Sequence, residues 1–493
     1  MYAENVNFSI PKGETRRSVT YNTMQTMCMK SGFFLSRSGA VARKDINMLE
    51  GPIWNRMIVF ALPLAFTGIL QQLYNAADVA TLGHFVSSNA MAAVGNNVPV
   101  IGLIISLCMG LALGANVFVA RMLGMREKDA AARAVHTAFV VALFFGLAAT
   151  AVGETFTTPV LLWLDVPESV FEDAQTYLRV YLLAMPFVAI YNFLAAVFRS
   201  KGNTQTPLWA LFAASLLNIA GNLFFVLVLG MTSGGVALAT VLANALSAGI
   251  LVVCLMRRDD ELKLDLKSIL PIDAAALNAI FRIGLPAGIQ GMVFSLSNLI
   301  IQGAINSLGA EVMAASVAAF TIEINVFCFI NAFGLAATTY VSQNYGARNL
   351  ARCRRATWVS MWLNMGATAI IVALILVFAR ELLGLFSDSE SVIEIGLIRL
   401  LLVVVPEPIN VLMETVSDAM RGYGYSMQPA MVTLVGICVT RVVWVYTAFA
   451  IEPTFFTLML VYPISWTVAC AGLVFLYFRH QKTVEARFAT RKA

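Results

Sequence analysis

Ionisable side chains inside long apolar runs are the residues of this sequence best placed to do chemistry. Asp78 lies in the run 56–81, behind Thr67, Gln71, Tyr74 and Asn75. At 100° per residue Thr67, Gln71, Asn75 and Asp78 fall on one helix stripe. A later run carries Ser215, Asn218 and Asn222 on one stripe, a third contributes Thr240, and together they can surround Asp78. A carboxylate so placed exchanges a proton or ligates a cation; the alternative is a structural Asp capped near the end of its helix. The second half of the chain is built differently. Glu407, Asn410, Glu414 and Asp418 share one stripe, Glu323 sits mid-run beside Asn325, Arg441 is deep in another run, and Gln290, Asn298 and Gln302 lie on a fourth. Two roles are open to Glu323 and Glu414. They bind a cationic substrate in a cleft, or they neutralise Arg441, since an unpaired buried charge is expensive. Asp418, at the end of its run, is expected to be solvated, with Arg421 as its partner.

The runs that must position these groups set the class. Of 493 residues, 59% are hydrophobic and 12% charged, and the mean hydropathy is +0.78. Soluble domains carry about 25% charged residues, so disorder, a collagen-like chain and a soluble enzyme are set aside. The apolar runs recur about a dozen times, each near the roughly 20 residues that span a bilayer. They lie near 56–81, 93–118, 133–153, 171–198, 207–229, 234–256, 275–305, 312–338, 354–379, 396–420, 427–450 and 456–478. The expected fold is an all-α polytopic membrane protein with 12 transmembrane helices.

The net charge of +5 is explained by where the charges sit. With the N-terminus inside, nearly all of the 33 Lys and Arg fall in inside segments. Among outside loops only Arg380 is basic, while Arg179, Arg399 and Arg441 fall in or near spans. This is a positive-inside pattern. It implies both termini in the cytoplasm of a bacterial-type plasma (inner) membrane, with lipid as partner and no nucleic acid. The division is a disordered cytoplasmic leader at 1–50, an N-terminal six-helix lobe at 51–257, a cytoplasmic linker at 258–275, a C-terminal six-helix lobe at 276–480 and a cytoplasmic tail at 481–493.

The chain repeats itself at an offset of 222 residues. Met91, Ala92 and Ala93 fall on Met313, Ala314 and Ala315; Gly124, Arg126 and Arg133 on Gly346, Arg348 and Arg355; Pro186 on Pro408; and Arg199, Gly202 and Pro207 on Arg421, Gly424 and Pro429. Chance does not hold one offset through five helices and their loops. An even number of spans per half returns the chain to the same side, so the halves are two parallel six-helix repeats. Two such lobes around a central cleft suit alternating access rather than a fixed pore. The loops at Gly202 and Gly424 are expected to act as inside hinges.

Signs of an enzyme are missing. The three histidines, His84, His136 and His480, lie at span ends, and neither a zinc-protease motif nor a Gly-x-x-x-x-Gly-Lys phosphate loop occurs. ATP is therefore not the expected energy source, and an ion gradient is. One charge crossing 100 mV is worth about 2.3 kcal/mol. The seven cysteines have no CxxC spacing and fall outside the outer loops, so neither a disulfide framework nor a metal site is expected.

The resemblance rests on Leu62 and Pro63 with Gln71, Gln72, Leu73, Tyr74, Asn75, Ala76, Ala77 and Asp78; on the stretch Arg199 to Pro207; on Asn218 with Asn222; on Gly235 to Thr240; and on the echo Arg421 to Gly424. Over roughly 50–480 the chain resembles the multidrug and toxic compound extrusion (MATE) family. The resemblance implies secondary active efflux of drug-like cationic amphipathic compounds in exchange for H⁺ or Na⁺, with no other cofactor, by an expected monomer. It makes Asp78 the coupling carboxylate, with Asn218, Asn222, Thr240 and the carbonyl of Val236 as its network, a place that also suits Na⁺. It puts Gln71, Tyr74, Asn75, Gln290, Asn298, Glu323, Asn410, Glu414 and Arg441 along the substrate cleft. Some members have Asp where Asn222 stands, and others have acids where this chain has Phe294 and Asn410. The competing reading is a lipid-linked precursor flippase of a related fold. It needs a basic cleft, and Arg441 is the deep arginine the sequence offers.

Overall fold

The computed structural model describes residues 45–164 and 166–490. In lipid every backbone N–H and C=O must be satisfied internally, and a helix achieves this within one segment. Among the described residues the chain is helical, with no strand. The N-terminal lobe holds α1 (Ile53–Phe85), α2 (Ser88–Met125), α3 (Lys128–Trp163), α4 (Glu168–Leu182 and Met185–Ser200), α5 (Gln205–Val228) and α6 (Ser233–Met256). The C-terminal lobe holds α7 (Ala274–Asn306), α8 (Ala310–Gly346), α9 (Leu350–Val377), α10 (Glu390–Arg399, a π turn at Leu400–Val404, and Glu407–Gly422), α11 (Met427–Ile451) and α12 (Phe455–Ala486). Short polar side chains start several of them. Ser87 accepts from the Ala90 N–H, Asp273 from Ala276 and Asn349 from Arg352.

Ten of these helices are long and apolar enough to cross a membrane, and α4, bent by 46° at its break, makes an eleventh. The remaining helix, α10, is less apolar because Arg399, Glu407, Asp418 and Arg421 lie on it, all buried within the protein. The fold is thus two six-helix repeats, and the repeat reaches the backbone. Arg126 and Arg348 both adopt positive φ, at 63° and 58°, and Gly202 and Gly424 do so at 94° and 88°. Gly202 packs against the Ile46 backbone and Gly424 against the Arg121 side chain, so a Cβ at either would be crowded as well as strained.

The lobes meet on the side that carries the 258–275 linker. There α2 lies along α7, and a Cβ on Gly110 would collide with the backbone of Gly288. Thr339 donates to Asn116 at 3.1 Å, and the Gln343 amide donates to the Ser200 carbonyl at 2.5 Å. The linker docks on α3, where Arg133 pairs with Asp273 at 2.9 Å and His136 Nε2 accepts from the Asp265 N–H at 3.0 Å.

Residues 1–44 of the expected leader lie outside the described residues. Residues 45–51 cross the seam: Met48 is fully buried, and its carbonyl accepts from Asn344 at 3.2 Å and from Arg352 at 3.1 Å. Asp45 pairs with Arg258 at 2.5 Å at the start of the linker. Among the described residues, every hydrogen bond between the lobes lies on this linker side.

Candidate functional site

The polar stripes of α1, α5 and α6 meet at one point. Asp78 is 3% exposed. Its Oδ1 accepts from Asn222 Nδ2 at 2.7 Å, and its Oδ2 from Thr240 Oγ1 at 3.1 Å. Asn222 Nδ2 also reaches Asn218 Oδ1, and Asn218 Nδ2 reaches Thr240 Oγ1, both at 3.3 Å. Thr240 Oγ1 lies 3.1 Å from the Val236 carbonyl too. A hydroxyl has one proton to donate, so Asp78 and Val236 compete for it. Tyr74 closes one wall, with its hydroxyl 3.5 Å from the Thr240 carbonyl.

Three features decide what this cluster can do. Among the described residues no cation pairs with Asp78. Its hydrogen-bond donors are a neutral amide and a hydroxyl. Asn222 Oδ1 is buried without a partner among the described residues, leaving an acceptor beside the carboxylate. A proton on Asp78, or a hard cation among these oxygens, fits the donor set. Gln71 is half-buried and Asn75 exposed on the same helix. Neither lines the cavity of the other lobe.

That cavity, of about 580 Å³, is lined mainly by α7, α8 and α10. It takes in Gln290, Asn298, Glu323, Asn410, Glu414 and Arg441 from the sequence reading. It corrects the pairing of charges. Glu323 does not neutralise Arg441. Arg399, just before the π turn of α10, grips Glu323 with Nε at 3.0 Å and Nη2 at 2.5 Å, and its Nη1 reaches Ser316 at 2.6 Å. The two-pronged geometry matches the guanidinium fork to the carboxylate. The signal was an arginine inside an apolar run, where a buried partner is nearly obligatory.

Asp418 is also corrected: it is buried, not solvated, because α8 packs over it at Gly334. It does pair with Arg421, at 2.5 Å, and Arg421 reaches Gln290 at 2.9 Å. Nor is Arg441 the only deep arginine, since Arg199, Arg399 and Arg421 line the same cavity. Asn410 donates to Glu407 at 2.8 Å. Glu414 has no hydrogen-bond partner among the described residues; the charges of Arg421 and Asp418 act on it.

Known proteins place this architecture. The MatE family model matches residues 63–224 and 286–447, two stretches offset by 223 residues, one more than the 222 of the sequence repeat. "Probable multidrug resistance protein YoeA" of Bacillus subtilis is 26% identical over 393 residues, 78% of this chain and 84% of that protein. "Probable multidrug resistance protein NorM" of Thermotoga maritima is 27% identical over 401 residues, 79% of this chain and 84% of that protein. A solved structure described as the outward-facing conformation of a multidrug resistance MATE family transporter shares the fold. Its TM-score is 0.83 at 22% identity, over 90% of this chain and 99% of that one. Two matched stretches, one in each six-helix lobe, show that the chain is an integral membrane protein belonging to the MatE family, the multidrug and toxic compound extrusion transporters.

Proposed function

We propose that this transporter is a multidrug efflux antiporter that exports drug-like cationic amphipathic compounds in exchange for a proton carried on Asp78. The observation that carries the reading is the carboxylate without a counter-charge: Asp78 is buried, and among the described residues neutral donors alone face it. A buried charge without a counter-charge is expensive, so proton binding there changes the free energy of the lobe. On protonation, Thr240 is free to donate to Val236 instead, which loosens α1 from α6. The cationic substrate would occupy the cleft and the cavity of Glu323, Glu407 and Glu414.

The positive-inside pattern supports a linker and both termini in the cytoplasm, and the membrane in this reading is a bacterial-type inner membrane. The seam of hydrogen bonds on the linker side then corresponds to the state closed to the cytoplasm. Rocking of the lobes would break that seam and open the other access. Na⁺ is the second reading for the coupling ion, favoured by the unpartnered Asn222 Oδ1. The relatives named as multidrug resistance proteins support the substrate class.

The test uses purified protein in liposomes and an ethidium-type dye. A pH gradient without Na⁺ should drive transport in the wild type and fail in Asp78→Asn. Transport driven by a Na⁺ gradient alone would assign the site to Na⁺. Undiminished ΔpH-driven transport in Asp78→Asn would remove Asp78 from the mechanism.

A further inference from the structure

Within the C-lobe cavity two ion pairs are closed on themselves, Arg399 with Glu323 and Arg421 with Asp418. What remains is separated charge, with Arg199 of α4 on the N-lobe wall of the cavity and in no ion pair among the described residues. Arg441 is 3% exposed and lines the cavity, yet no carboxylate pairs with it among the described residues. Its Nη1 donates to the neutral Asn298 at 2.7 Å, and its Nε has no partner among the described residues. The guanidinium lies over the Tyr462 ring at 4.6 Å and near Phe294 at 6.0 Å. The same cavity holds Glu407, which among the described residues is bonded only to Asn410, and Glu414, which makes no ion pair among them. A pure cation satisfies the two acids and leaves the guanidinium buried and uncompensated. Leaving it so is the unfavourable arrangement.

We propose that Arg441 and Asn298 form an anion subsite, and that the preferred substrate is an aromatic zwitterion. Its carboxylate binds the Arg441 fork, its ring lies on the Tyr462 and Phe294 shelf, and its cationic end reaches Glu407 and Glu414. A guanidinium fork matches a carboxylate in two parallel hydrogen bonds, and the cavity volume falls within the range of drug-sized pockets. The inference rests on the efflux reading and narrows its substrate class.

The test compares tetramethylrhodamine, which carries a free benzoate beside its cationic ring system, with its methyl ester, which keeps the cation and loses the anion. Binding to the purified full chain in detergent is followed by fluorescence polarisation. The wild type should bind the free acid more tightly than the ester. Arg441→Gln should weaken the free acid by roughly tenfold or more and leave the ester within about twofold. Arg441→Lys, which keeps the charge, should retain part of the preference for the acid. An ester bound as tightly as the acid by the wild type overturns the proposal without recourse to any variant. Equal weakening of both dyes in Arg441→Gln also overturns it, because Arg441 then only shapes the cavity. Failure of the wild type to bind either dye contradicts the efflux reading itself and removes the subsite with it.

Discussion

Asp78 accepts a 2.7 Å hydrogen bond from Asn222 and faces no cation among the described residues, whereas Glu323 is gripped twice by Arg399. The two lobes descend from one repeat and treat their buried acids in opposite ways. One meets only neutral donors among the described residues, and the other is locked in an ion pair.

The locked pair predicts a stability effect. Glu323→Gln strands Arg399 in the protein interior, which should cost about 3–5 kcal/mol. Thermal unfolding in detergent should show a clear drop for this variant. The double change Glu323→Gln with Arg399→Met should recover most of it, because no uncompensated charge remains. A single variant as stable as the wild type would mean that the pair contributes nothing.

The Thr240 hydroxyl serves Asp78 and Val236 alternately in the proposed cycle. Thr240→Val keeps the volume and removes the proton that is shared. A hydrogen bond to a charged group contributes about 1.5–3 kcal/mol, so export should fall about tenfold or more. Thr240→Ser should retain most of the rate. Dye efflux at matched expression separates the two, and equal rates for Val and Ser would rule out the hydroxyl's role.

The seam on the linker side depends on bare backbone. Gly110→Val places side-chain atoms against the Gly288 backbone, and overpacking of this kind costs about 1–3 kcal/mol. Closure of that side, and with it efflux, should be slowed at least about fivefold. Gly102→Val on the same helix, where a Cβ meets no atom within 4 Å, should leave efflux unchanged.

The linker clamp has its own pH signature. Burial acts against the Asp260 carboxylate, but Arg258 and Lys201, at 2.6 and 2.8 Å, outweigh it and hold its pKa well below the usual carboxylate range. A carboxyl lowered in the folded state stabilises the fold above its unfolded pKa of about 3.9. That contribution is lost as pH falls from there through the folded value. The wild type should therefore unfold at a higher temperature than Asp260→Asn at pH 7, with the gap narrowing below about pH 4. A gap independent of pH would assign the effect to packing.

Much of this was legible in the residues. The stripes through Asp78, Asn218, Asn222 and Thr240 follow from helical periodicity, and the structure brings those side chains into contact. The run at 396–420 reads as a span, and it is α10, the helix that Arg399, Glu407, Asp418 and Arg421 make less apolar than the others. The pairings inside the C-terminal lobe were not legible. Periodicity says which face a residue takes, not which neighbour it meets, and the π turn at Leu400–Val404 alters the register just after Arg399. Arg399 was therefore placed in or near a span without a partner, and Glu323 was offered to Arg441. The burial of Asp418 depended on Gly334 leaving room on α8, a fact about two helices that neither stripe contains. The seam-crossing path of residues 45–51 has no periodic signature at all.

The central claim is that Asp78 gives up or takes a proton as substrate binds. Its most direct test is proton release from weakly buffered, detergent-purified protein when an ethidium-type dye is added. Linkage requires that competing ligands displace one another, so the wild type should release up to about one proton per dye bound, and Asp78→Asn should bind dye and release essentially none. Equal proton release from Asp78→Asn and the wild type would contradict the account.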